Sequence, residues 1–172
     1  MKFRLSKSLS ALLKARRTAA RAIAKAYRPA FEKPSNTIRP PQLVTVEAFG
    51  SNPGRLIMKT FTPTRLPLKP AIVIVVHGCQ QTPEGLDADS GFTRLAKERG
   101  FVLLFPQQTR VNNAQNCFNW FRPSEVTRDR GEVLSIKQMI EHTLKHYRAD
   151  RTRVYIVGIS AGGAMTGSLV AN

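Results

Sequence analysis

The hydrophobic pattern along the chain changes period several times, and each change marks an element. Ala71-Ile72-Val73-Ile74-Val75-Val76 is an unbroken, largely β-branched run, the pattern of a strand buried on both faces, and predicts a central parallel strand. Upstream, Leu43 to Val46 and Arg55 to Phe61 read as two strands joined by the turn Ser51-Asn52-Pro53-Gly54, a β-hairpin. Pro63, Pro67 and Pro70 separate this hairpin from the central run. Downstream, Leu86 to Arg99 has helical spacing and stops at Gly100, and Phe101 to Phe105 is a short apolar strand. The stretch from Pro106 to Arg130 has no period and reads as a long loop, rich in Asn and Gln yet carrying Phe118, Trp120 and Phe121. Val133, Ile136, Ile140, Leu144 and Tyr147 then line one face of a helix, with His142 and His146 opposite. Val154 to Val157 is a further strand, and the small residues from Ala161 onward predict a helix packed closely on it. Strands alternating with helices predict an α/β fold, a mostly parallel sheet with helices on both faces.

Residues 1–40 do not fit this scheme. Leu5, Leu9, Leu12, Ala19, Ile23 and Tyr27 recur at roughly helical spacing among Lys and Arg, and the first acidic residue is Glu32. The expectation is a basic amphipathic extension followed by a linker punctuated by Pro29, Pro34, Pro40 and Pro41, with the α/β domain occupying 41–172. Charge sharpens this picture, because 27 Lys and Arg stand against 11 Asp and Glu, a formal +16, and much of that excess lies in residues 1–31. Such a segment favours weak attachment to anionic surfaces. Base-reading side chains are scarce in it, so no specific nucleic-acid partner is expected. Lys14, Arg16, Arg17, Arg21 and Lys25 interrupt every apolar stretch long enough for a secretory signal. No run approaches the ~18 apolar residues of a membrane span.

The candidate chemistry sits at Gly158-Ile159-Ser160-Ala161-Gly162. A Gly-x-Ser-x-Gly sequence says little alone, but here it joins a buried strand to a helix, the setting of a nucleophile elbow. A serine on that sharp turn projects its hydroxyl above the sheet, and Gly158 and Gly162 remove side chains that would collide with backbone. Ser160 is the candidate nucleophile, and the Ala161 N–H is a candidate donor to an oxyanion. The plainer alternative is a glycine-rich helix start with a capping serine. After the central strand, His77-Gly78-Cys79-Gln80-Gln81 offers the N–H of Cys79 or Gln80 as a second oxyanion donor, with His77 orienting the loop rather than acting as a base. Two cysteines, Cys79 and Cys117, are too few for a structural zinc site, and the residues alone leave them paired or free. His142 and His146 lack a third ligand, so no metal and no cofactor are expected.

Four blocks then occur in order: His77-Gly78-Cys79-Gln80-Gln81, Asn116-Cys117-Phe118-Asn119-Trp120-Phe121, Gly131-Glu132 with Ser135-Ile136, and Arg153 through Met165 around the elbow. Over about residues 42–172 the chain resembles the polyhydroxybutyrate depolymerase esterases, an α/β-hydrolase family. The resemblance implies serine hydrolysis of carboxylic esters, with a polyhydroxyalkanoate polymer or a feruloylated or acetylated polysaccharide as substrate. It implies that Cys79 and Cys117 pair beside the oxyanion loop, and it leads us to expect Phe118, Trp120 and Phe121 to form an apolar wall for the acyl chain. It also implies an extracellular protein, whereas the N-terminal residues carry no convincing signal and leave an intracellular location open.

In α/β-hydrolases the acid and the histidine follow the serine along the chain, and neither occurs between Ser160 and Asn172. The expectation is therefore a fragment truncated after the elbow, with the Val154 to Val157 strand at an uncovered edge, poor solubility and turnover near background. A basic protein that binds anionic membrane, nucleic acid or granule surfaces without catalysis is the alternative reading.

Overall fold

The computed structural model describes residues 43–172; the basic extension and proline-rich linker expected over 1–40 lie outside the described residues. The five strands are β1 (Val44–Val46), β2 (Ile57–Phe61), β3 (Ile72–Val76), β4 (Val102–Gln107) and β5 (Val154–Gly158), and the helices are α1 (Pro83–Ser90), α2 (Phe92–Arg99), α3 (Pro123–Val126), α4 (Gly131–His146) and α5 (Ala161–Ala171). The sheet order is β1-β2-β4-β3-β5. The expected hairpin is present, with β1 antiparallel to β2, and β2 is antiparallel to β4. The strands joined through helices, β4-β3-β5, are parallel, as crossover connections require, so the sheet as a whole is mixed.

Side-chain alternation along the strands divides the core into two layers. Ile72, Ile74 and Val76 of β3 and Val102 and Leu104 of β4 point to one face, where Val133, Ile136, Met139 and Leu144 of α4 and Met165 of α5 cover them. Val75, Leu103 and Phe105 point to the other, where Leu86 of α1 and Ala96 of α2 pack. Both faces of β3 and β4 are thus covered, which is why those strands read as continuous apolar runs rather than alternating ones.

Two expectations need correction. The helix read over Leu86 to Arg99 is two helices, because Gly91 adopts φ 74° and serves as the C-cap of α1 and the N-cap of α2; a left-handed residue cannot sit inside an α-helix. Asp87, at the end of α1, secures the break by accepting from Thr93 N–H at 2.7 Å and Thr93 Oγ1 at 2.6 Å. The long loop after β4 is also not structureless, since α3 occupies four of its residues and starts at Pro123, where a missing N–H costs nothing. Among the described residues β5 forms one edge of the sheet, with Tyr155 55% and Val157 39% exposed. No described helix is long and apolar enough to cross a membrane.

Candidate active site

Ser160 lies between β5 and α5 with φ 53° and ψ −122°, a backbone conformation that non-glycine residues rarely occupy and that persists only when surrounding structure enforces it. Gly158 and Gly162 supply that enforcement. A Cβ on Gly162 would strike the Val76 carbonyl oxygen, and one on Gly158 would strike the Gly162 carbonyl, so strand and helix approach too closely for any side chain. Ser160 sits at the N-cap position of α5 but makes no side-chain capping hydrogen bond. An ordinary capping serine has extended φ/ψ and an engaged hydroxyl, and Ser160 has neither. Its side chain is exposed at the end of the parallel strands.

The loop after β3 packs directly on this elbow. A Cβ built on Gly78 would lie 3.3 Å from the Ser160 Cβ and 3.3 Å from the Ile159 carbonyl oxygen. Cys79 and Cys117 form a disulfide with a Cα–Cα separation of 4.2 Å, joining this loop to the one after β4. Three hydrogen bonds reinforce the joint: Gln80 N–H to the Gln115 carbonyl (2.9 Å), Gln80 Nε2 to Gln115 Oε1 (2.8 Å), and Asn116 Nδ2 to the Gln81 carbonyl (2.8 Å). The first of these corrects one expectation, because an N–H already committed to a carbonyl is not free for an oxyanion. Among the described residues Cys79 N–H has no such partner, and neither does Ala161 N–H at the first turn of α5, where helical amides have no intrahelical acceptor.

The aromatic cluster divides. Phe118 is fully buried in the core and packs against His77, the rings tilted by 46° with centroids 4.9 Å apart, so it is not part of a substrate wall; its apolar surface is occupied by protein. Trp120 (47% exposed) and Phe121 (54% exposed) form an edge-to-face pair at 5.8 Å on the surface.

None of the three histidines is placed to receive the Ser160 proton. His77 is buried, with Nδ1 2.7 Å from the Gly78 carbonyl oxygen and Nε2 accepting the Gln108 N–H at 3.0 Å. Both ring nitrogens are therefore occupied, in the neutral tautomer protonated at Nδ1, and burial holds its pKa below the usual histidine value despite the bond to Gly78. His142 and His146 stack on each other at 5.8 Å beside β1, at the opposite edge of the sheet from β5. Among the described residues no three acidic, His or Cys side chains cluster as a metal site.

One residue that local sequence reasoning left without a role is Glu132, in the first turn of α4. It is almost fully buried, and its carboxylate accepts from Gln108 Nε2 (2.6 Å), Asn119 Nδ2 (2.6 Å) and Asn119 N–H (2.9 Å). Nothing in its neighbours along the chain signals this, since its partners lie 13 and 24 residues away.

A mixed sheet with this crossover pattern and a serine on a strained turn between strand and helix defines the α/β-hydrolase class. Residues 60–172 match the family described as Esterase PHB depolymerase, and the chain belongs to it. It is 43% identical over 124 residues to a poly(3-hydroxyalkanoate) depolymerase C from Paucimonas lemoignei, covering 72% of this chain and 30% of that protein. It is 35% identical to a feruloyl esterase B from Neurospora crassa, over 75% of this chain and 44% of the relative. Among solved structures, an acetyl xylan esterase from Aspergillus awamori superposes with TM-score 0.71 at 30% identity, covering 76% of this chain and 47% of that one. The chain spans less than half the length of these relatives.

Proposed function

We propose that this chain carries the nucleophile and the oxyanion site of a serine ester hydrolase. The observation that carries the reading is Ser160 itself: a strained φ, an unengaged exposed hydroxyl, and two uncommitted N–H groups on the segments flanking it, Cys79 and Ala161. In this reaction Ser160 Oγ gives its proton to a base and attacks the ester carbonyl, the tetrahedral oxyanion is held by those two N–H groups, and its collapse breaks the bond to the alcohol, which takes up that proton and leaves acyl-Ser160. Water then attacks the acyl-enzyme, releasing the acid and restoring the serine. Each oxyanion donor contributes roughly 3 to 4 kcal/mol to the transition state. The Ser160 proton must pass to a base other than His77, His142 and His146.

The substrate we favour is a polyhydroxyalkanoate ester, because the relative at 43% identity bears a depolymerase name. Feruloyl and acetyl esters are the second reading, supported by the feruloyl and acetylxylan esterases at 30 to 35% identity. The test is hydrolysis of 3-hydroxybutyrate oligomers, a feruloyl ester and an acetyl ester, with imidazole supplied as an external base, comparing the chain with its Ser160→Ala variant. A Ser160-dependent increment largest on the oligomers supports the depolymerase reading. Equal rates for the two proteins, together with salt-sensitive binding to anionic vesicles, support a non-catalytic binding protein instead.

A further inference from the structure

We infer that Glu132 is a positioning residue that sets the oxyanion loop from a distance, through a buried polar chain that ends at the backbone beside Ser160. The inference rests on the serine hydrolase reading above. From the Glu132 carboxylate the chain runs to the Gln108 side chain (2.6 Å), from the Gln108 N–H to His77 Nε2 (3.0 Å), and from His77 Nδ1 to the Gly78 carbonyl (2.7 Å). Gly78 is the residue whose missing side chain lets the loop touch Ser160. A second arm runs from the same carboxylate to Asn119, held through both its N–H and its side-chain amide. Asn119 follows Phe118 in the core and Cys117 in the disulfide, so this arm fixes the segment to which Cys79 is covalently tied.

The two arms reach the oxyanion loop at consecutive residues, one at Gly78 through His77 and the other at Cys79 through Cys117, and they diverge from a single carboxylate. Burial pushes the Glu132 carboxyl above its ordinary value despite three donors, with Glu125 of α3 adding repulsion. Glu125 in turn accepts the Glu132 N–H at 3.2 Å, and Arg55 and Arg122 border the same small polar cavity, of about 40 Å³. A carboxyl kept in a buried site with three donors aimed at it fixes the positions of those donors, Gln108 and Asn119.

Glu132→Gln tests this without changing the shape of the side chain, because it replaces one acceptor oxygen with an amide that faces the existing donors. Two readouts are needed. Amide hydrogen exchange on the full chain reports the loop directly and does not depend on catalysis: we expect exchange at the hydrogen-bonded amides of Gly78, Gln80 and Gln81 to rise at least ten-fold in Glu132→Gln, while the strand amides of β3 and β4 stay protected. Modification of Ser160 by a fluorophosphonate probe, with imidazole present, reports the site: the limiting rate should fall about ten-fold at unchanged probe affinity. Faster exchange confined to Asn119 and the start of α4, with residues 78–81 unchanged, would overturn the inference. Unchanged exchange throughout would overturn it equally. If exchange at 78–81 rises but the wild type itself never labels, the serine hydrolase reading fails and the coupling from Glu132 stands.

Discussion

The backbone N–H of Gln80 donates to the carbonyl of Gln115 at 2.9 Å, and this one bond decides which amide after β3 is available to a reacting ester. With Gln80 committed, Cys79 and Ala161 are the remaining pair. An alkyl boronic acid that adds to the Ser160 hydroxyl places a negative oxygen where the oxyanion would form. The amide proton resonances of Cys79 and Ala161 should then move downfield, with Gln80 nearly unmoved. A large shift at Gln80 would return it to the site.

Phe118 and Trp120 stand two residues apart yet belong to different environments, and mutation should separate them. Phe118→Ala removes a fully buried ring from the larger core layer and should cost about 3 to 5 kcal/mol by urea unfolding. Trp120→Ala and Phe121→Ala should each stay within about 0.5 kcal/mol of wild type, as exposed residues do.

The Cys79–Cys117 bridge closes a loop with a sequence separation of 38. Loop-closure entropy puts its contribution at about 4 kcal/mol. A Cys79→Ser, Cys117→Ser double variant should lose stability of that order and should also show faster exchange at Gln80 and Gln115, whose bonds depend on the two loops staying in register. Equal stability of the oxidised and reduced proteins would contradict this.

Stability should respond to pH in opposite directions at the two ends of the buried chain. Glu132 binds its proton more tightly folded than unfolded because burial disfavours its charge. Its contribution is therefore complete below its ordinary value of 4.5 and is lost as pH rises through the raised folded value. His77 is shifted the other way, so its contribution is present above 6.5 and is lost as pH falls through the depressed folded value. Urea unfolding of wild type and Glu132→Gln across this range should show wild type losing ground to the variant as pH rises from 4.5. Parallel curves would contradict the assignment.

The elbow and the strands were legible from sequence for a local reason: β3, β4 and β5 are short apolar runs whose period is visible over a few residues, and Gly158, Ser160 and Gly162 fall within five consecutive residues. What escaped was non-local or hinged on one dihedral angle. Gly91 breaks a helix that periodicity carries straight through, because the two helices share an apolar face. Phe118 looks like its aromatic neighbours until the fold turns it inward against His77. Glu132 reads as an ordinary acidic residue in a first helical turn, and only the folded chain brings Gln108 and Asn119 to it. The commitment of the Gln80 amide is invisible for the same reason, since Gln115 lies on another loop.

The most direct test of the account is the mass of the peptide carrying Ser160 after prolonged exposure of the full chain to a fluorophosphonate in the presence of imidazole. The account predicts an adduct on Ser160, faster with imidazole than without, exceeding that on any other serine and absent from Ser160→Ala. No adduct at Ser160, or modification no greater than that of the exposed Ser124, would contradict it.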